Sequence, residues 1–146
     1  MRLTLFSDFA LRVLMFTHAA GDRLVTIDEM AEAYAISRTH LTKVVNALTR
    51  AGYLSAVRGR SGGLMLARPP EEIVLGDVIR RTEPDFALVE CFATGNRCGI
   101  SNCCKLQGVL GEALEAFLAV LDDKTLASIA LRPKDFRFLV EADERP

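Results

Sequence analysis

The chain has 146 residues, half of them hydrophobic, with a formal net charge of −1, four cysteines and no tryptophan. That length suits one domain-sized unit with an appended helix, and the apolar fraction is enough for a real core. The longest apolar runs, such as residues 9–16, are broken by Arg12 and too short to span a bilayer, and Asp8 and Arg12 interrupt any signal-peptide pattern, so the expectation is a cytoplasmic protein with no membrane association.

The first helix is expected to start at Ser7 or Asp8, either of which can cap it, and to run to Ala20, where Gly21-Asp22 breaks it. Thr26 and Glu29 then form a T-x-x-E capping box, and Ile27, Met30, Ala31 and Tyr34 fall at helical spacing behind it. Ala35-Ile36 connects to Ser37, a second N-cap. In the helix that follows, Leu41, Val44, Val45 and Leu48 form one stripe. Arg38, Thr39, His40, Thr42, Lys43, Asn46 and Arg50 take the other face. Two short helices joined by a tight turn, the second polar and basic outward, are the helix-turn-helix arrangement.

Gly52 ends that helix, and residues 54–57 and 64–67 read as two short strands. Between them Arg58-Gly59-Arg60-Ser61-Gly62-Gly63 supplies the glycines that a hairpin turn needs. Its two arginines make it a wing, able to reach a phosphate backbone or a minor groove. From Ser37 to Arg68 there are six Lys/Arg residues and no Asp or Glu, so this stretch carries +6 and leaves −7 for the rest of the chain. A basic segment in a mildly acidic protein is an electrostatic footprint whose usual partner is nucleic acid.

Pro69-Pro70 closes the wing, and a helix over 75–82 follows with Leu75, Val78 and Ile79 inward, stopped by Pro84. An irregular stretch then holds all four cysteines, Cys91, Cys98, Cys103 and Cys104. After it comes the longest helical pattern, Leu106 to Leu121. It carries more apolar surface than a lone helix behind a small domain can hide, so it is expected to pack on a symmetry mate. A last short helix is expected over 124–130, an apolar segment over 136–140 that packs back, and a polar tail over 142–146. The expected fold is mainly α with a small β wing. A winged helix-turn-helix domain occupies 1–83, a cysteine cluster-binding loop 84–104, and a dimerisation helix with the C-terminal tail 105–146.

In such a module the start of the second helix enters the major groove of double-stranded DNA. Thr39, His40 and Lys43 are placed to approach base edges, while Arg38, Arg50, Arg58 and Arg60 are placed to grip phosphates. His40 also reads as a plain surface histidine. A two-fold homodimer favours a pseudo-palindromic site with half-sites about one helical turn apart. Nothing in the chain resembles a phosphate-binding loop, a nucleophile elbow or an acid–base pair, so an enzyme is not expected.

Cys91, Cys98 and Cys104 are spaced C-x6-C-x5-C, which matches neither a zinc ribbon nor a thioredoxin-like site. Long spacings suit a loop wrapped around a polynuclear iron–sulfur cluster, with zinc or free redox thiols as alternatives. Side chains of adjacent residues point apart, so Cys103 and Cys104 do not both reach one centre. A fourth ligand would be an oxygen donor or a residue of a partner subunit.

The opening Met1-Arg2-Leu3-Thr4-Leu5-Phe6-Ser7-Asp8-Phe9-Ala10-Leu11-Arg12 resembles the start of NsrR/IscR-type iron–sulfur regulators. So do Ile36-Ser37-Arg38-Thr39-His40-Leu41, Ala51-Gly52-Tyr53, the wing, Leu75-Gly76-Asp77-Val78-Ile79-Arg80 and the three-cysteine loop, in the family's order and over nearly the whole chain. The nitric-oxide-sensing branch is most similar. The IscR branch carries a histidine three residues after the third cysteine, where this chain has Gln107. The resemblance implies a repressor that releases promoter DNA when nitric oxide reaches a 4Fe–4S cluster. It implies Cys91, Cys98 and Cys104 as ligands, with Asp8 of the partner subunit as the fourth. The alternatives are a 2Fe–2S cluster with IscR-like sensing of iron–sulfur or redox status, and a zinc- or thiol-based regulator. Cys103 takes no role in this pattern. Read without the resemblance, Asp8 caps the first helix or pairs with Arg12 one turn on.

Overall fold

Thr4, rather than Ser7 or Asp8, begins the first helix. Its hydroxyl accepts the Ser7 N–H at 3.2 Å, and its own N–H donates to Glu83 Oε1 at 2.9 Å. Ser7 is buried and directs its hydroxyl to Thr82 Oγ1 at 2.8 Å, so it serves packing instead of capping. The computed structural model describes residues 2–132 together with 135 and 136. Its helices are α1 (Leu5–Ala19), α2 (Ile27–Tyr34), α3 (Arg38–Arg50), α4 (Leu75–Thr82) and α5 (Lys105–Asp122). A hairpin of β1 (Leu54–Val57) and β2 (Gly63–Leu66) lies between α3 and α4, and short 3₁₀ turns cover Pro70–Glu72, Glu90–Phe92 and Leu126–Ile129.

α1 is the centre of the core. Ala10, Val13, Leu14 and Phe16 are all fully buried, and α3, α4 and β2 pack around them. α2 carries the expected capping box: Thr26 N–H donates to Glu29 Oε2 at 2.6 Å and Glu29 N–H to Thr26 Oγ1 at 3.2 Å. Partial burial pushes the Glu29 carboxyl up, but hydrogen bonds from Arg23 and Thr26 outweigh it and hold the group below its ordinary value. α2 ends in Ala35, whose φ of 52° lies in the left-handed region. Two residues later the Ser37 hydroxyl accepts the His40 N–H at 3.3 Å and starts α3. The α3 residues that bury are Leu41, Val44, Val45 and Leu48, the stripe read from the sequence.

β1 and β2 are antiparallel, with Leu54 opposite Leu66 and Val57 opposite Gly63. The second strand starts one residue earlier than expected. Val25, outside the hairpin, bridges Leu64 with N–H to carbonyl distances of 3.0 and 2.8 Å and fixes the register. At the wing tip a Cβ on Gly62 would overlap the Val57 carbonyl, so only glycine lets the chain close there.

α4 occupies the expected residues and buries Leu75, Val78 and Ile79. α5 lies against α4 with a close approach at its C-terminal end. A side chain at Gly76 would overlap the Asp122 carboxylate, which pairs in bidentate fashion with Arg80. Beyond α5 the backbone returns to α4: Leu75 N–H donates to Lys124 O at 2.9 Å, and Leu126 N–H to Ile73 O at 2.8 Å. The expected helix over 124–130 is a single 3₁₀ turn. Phe136 packs back edge-on against Phe16 and Tyr34, with ring centroids 5.3 and 6.0 Å away. The rest of the expected apolar segment, 137–140, and the polar tail lie outside the described residues.

No residue of α5 is buried, and Leu106, Val109 and Val120 are about 60% exposed. Among the described residues, no helix is long and apolar enough to cross a membrane.

Candidate nucleic-acid interface and cysteine loop

α3 turns its apolar stripe into the core, which leaves Arg38, Thr39, His40, Lys43, Asn46 and Arg50 exposed on its outer side, with Thr42 half-buried at its edge. Arg38 pairs with Asp28 of α2 at 3.2 Å, yet both side chains are about two-thirds exposed, so the guanidinium is available to a phosphate at little cost. The Arg50 Nε donates to the Asn46 carbonyl at 3.2 Å and stays at the helix end. Lys43 has no hydrogen-bond or ion-pair partner among the described residues, nor have Arg58 and Arg60 on the exposed wing. The ring of His40 lies 6.4 Å from that of Phe9, so the start of α3 touches α1 directly.

Arg68 plays a different part from the other five cations of the acid-free stretch. It donates to Gly52 O at 2.9 Å and Ala51 O at 3.5 Å, and its guanidinium lies 5.0 Å from the Tyr53 ring centroid. It therefore caps the carbonyl end of α3, and the footprint read from charge alone shrinks from six cations to five.

All four cysteines are free thiols. Cys91 and Cys104 are half-buried and Cys98 and Cys103 exposed; Cys91 sits in a 3₁₀ turn and Cys104 is the N-cap of α5. Asn96 shapes the loop between them. Its Oδ1 accepts the Cys98 N–H at 2.9 Å, its Nδ2 donates to Ser101 Oγ at 2.6 Å, and that hydroxyl donates to Cys98 O at 2.9 Å. Among the described residues no three Cys, His, Asp or Glu side chains converge on one point. Within one chain, then, Cys91, Cys98, Cys104 and Asp8 are not assembled.

Asp8 lies in the first turn of α1, 40% exposed and paired with Arg12 at 2.9 Å, the contact that its spacing allowed. The Arg12 guanidinium in turn lies 5.8 Å from the Tyr34 ring centroid, and the Tyr34 hydroxyl donates to the Arg12 carbonyl at 3.0 Å. Burial pushes the Tyr34 phenol up to about 12, against a downward pull from Arg12. The donor set fits an iron–sulfur group in kind. Three thiols lie on one segment, in a 3₁₀ turn, in a loop and at the cap of α5, and an accessible carboxylate lies on a separate element. Sequence reasoning missed the tie between the start of α1 and the end of α4. Thr4 and Ser7 bond Glu83 and Thr82, and residue spacing carries no signal for a contact of that range.

A polar, basic helix presented on a buried stripe, with a glycine-tipped arginine wing beside it, defines a winged helix-turn-helix DNA-binding protein. The chain belongs to the Rrf2 family of iron-dependent transcriptional regulators, which matches residues 3–132. It is 46% identical over 146 residues to the HTH-type transcriptional regulator NsrR of Bacillus subtilis (strain 168), covering 99% of this chain and all of the relative. A regulator of the same name from Geobacillus kaustophilus (strain HTA426) is 49% identical over 131 residues, 88% of this chain and 89% of the relative. Among solved structures, the oxidised form of Staphylococcus aureus CymR superposes with a TM-score of 0.72 at 26% identity, covering 89% of this chain and 96% of that one. The family and the two NsrR relatives are named as regulators of transcription, and the chain is a regulator rather than an enzyme.

Proposed function

We propose that this chain is a homodimeric transcriptional repressor that binds pseudo-palindromic promoter DNA through α3 and the wing. It releases that DNA when nitric oxide reaches a 4Fe–4S cluster held by Cys91, Cys98 and Cys104, with Asp8 of the partner subunit as fourth ligand. The observation that carries the reading is the acid-free face of α3 and the wing, in a chain whose cysteines all fall within one short stretch. Full-length likeness to regulators named NsrR supports the signal, and the exposed apolar residues of α5 support the dimer.

When bound, the cluster supplies an iron whose oxygen ligand is a weaker link than its thiolates and leaves it open to a small diatomic. The chain's own residues carry the response. A carboxylate engaged on the other subunit would give up Arg12, and once free it would regain the Asp8–Arg12 pair. Asp8 precedes Phe9, which touches His40, so a displacement of the α1 start reaches the base-reading end of α3 without an intermediary. Two sites and a shared element that both of them bias are what a coupling claim requires.

The test uses anaerobically purified full-length protein. Absorption, iron and sulfide are measured together with promoter-DNA affinity, before and after nitric oxide, for the wild type and for Asp8→Ala. The reading expects about four irons and four sulfides per chain, bleaching with nitric oxide, and DNA release that Asp8→Ala blunts. About two irons per chain would favour an IscR-like centre, and a colourless protein with bound zinc would favour a zinc-based regulator. Full loading and full release in Asp8→Ala would remove the role given to that residue.

A further inference from the structure

The outer side of α3 holds a shallow concavity of about 400 Å³ lined by Arg38, Thr39, Thr42 and Lys43. These positions, i, i+1, i+4 and i+5, run as one stripe along the first half of the helix, the part that meets base edges when such a helix enters the major groove. Three of the four present polar groups outward. Thr42 does not, because its Oγ1 donates to the Arg38 carbonyl at 2.8 Å. The Cβ of threonine bears one oxygen and one methyl, and with the oxygen turned back on the helix the methyl is the group left to line the concavity.

We infer that Thr42 is a specificity-determining residue that reads the C5-methyl of a thymine in each half-site, by apolar contact. Thymine alone among the four bases displays a methyl in the major groove, and a threonine methyl is one of the groups that recognise it. Arg38 and Lys43, which also line the concavity, are donors only and do not read the methyl. Neither charge nor hydrophobic periodicity marks Thr42. The assignment comes from the direction of its hydroxyl, and it rests on α3 being the helix that enters the groove.

The experiment begins with duplexes selected from a random pool by the full-length protein. In the selected duplex each symmetric pair of thymines is replaced in turn by deoxyuridine, which removes the methyl and nothing else. Affinity is measured for the wild type, Thr42→Ser and Thr42→Val. At one symmetric pair the wild type loses about fourfold in affinity per half-site, the worth of one buried methyl. Thr42→Ser keeps the hydroxyl and loses the methyl, so it binds thymine and deoxyuridine duplexes alike at that pair. Thr42→Val keeps a methyl and loses the hydroxyl, so it still discriminates. The inference is overturned if no thymine pair matters to the wild type, if Thr42→Ser still discriminates, or if Thr42→Val does not. Failure to select any duplex sinks the DNA-binding role of α3 and the Thr42 assignment together. Selection without methyl dependence sinks the assignment alone.

Discussion

Replacing Ala35 by glycine is expected to stabilise the protein, although Ala35 makes no side-chain contact that glycine could improve. Ala35 ends α2 with φ 52° and ψ 40°, and its N–H bonds to Ala31 O and Glu32 O are backbone contacts that survive substitution. An L-residue held in the left-handed region costs about 1–2 kcal/mol. Glycine removes that strain but loosens the unfolded chain by about 0.4–1 kcal/mol. The side chain is exposed, so the substitution takes nothing from the core, and the mid-range values leave a net gain of about 0.8 kcal/mol. With a urea slope of about 2 kcal/mol/M, the midpoint rises by about 0.3–0.5 M at unchanged slope. Ala35→Val, β-branched at the same φ, shifts it the other way. The assay is urea unfolding of the three proteins at one concentration, which holds any effect of association on the midpoint constant. A glycine variant with an unchanged or lower midpoint at the same slope would show that the turn between α2 and α3 stores no strain.

The raised Tyr34 phenol sets an alkaline limit. Its contribution to stability is complete below the unfolded value near about 10 and lost as pH climbs to about 12, so circular dichroism against pH should show helix loss in that window, less steep in Tyr34→Phe. Gly62→Ala forces the wing tip off the Val57 carbonyl, a distortion of about 1–3 kcal/mol. It should appear mainly as weakened DNA binding in a titration, with most of the helical signal intact. Arg60→Ala should reduce the log–log salt slope of DNA affinity by about 0.9 for each phosphate that the arginine neutralises. Arg68→Ala should leave the slope alone and lower the melting temperature, because Arg68 serves the end of α3. A smaller slope in Arg68→Ala would return that residue to the footprint.

The parts of the fold that were legible in the sequence rest on short-range physics. The Thr26–Glu29 box and the Leu41, Val44, Val45 and Leu48 stripe are set by contacts within one or two turns, and both form as read. The first helix begins earlier than expected because Thr4 is fixed by Glu83, 79 residues away, a partner that no local pattern announces. β2 begins at Gly63 because Val25 pairs with Leu64 from outside the hairpin. Charge counting alone includes Arg68 among the six cations of the acid-free stretch. Only its hydrogen bonds to Gly52 and Ala51 separate it from them. For the cysteines, spacing says that the thiols share a loop, but not that they converge.

The clasp between α4 and the end of α5 bears on how such a regulator diversifies. The cysteine loop and α5 leave α4 just past Thr82, and the chain returns to its start at Lys124. Both exits are fastened to the same short helix, so the stretch between them can lengthen or shorten while α4 keeps its place against α1. Length and composition can then vary in that stretch of the gene without a compensating change in the helices and wing that precede it.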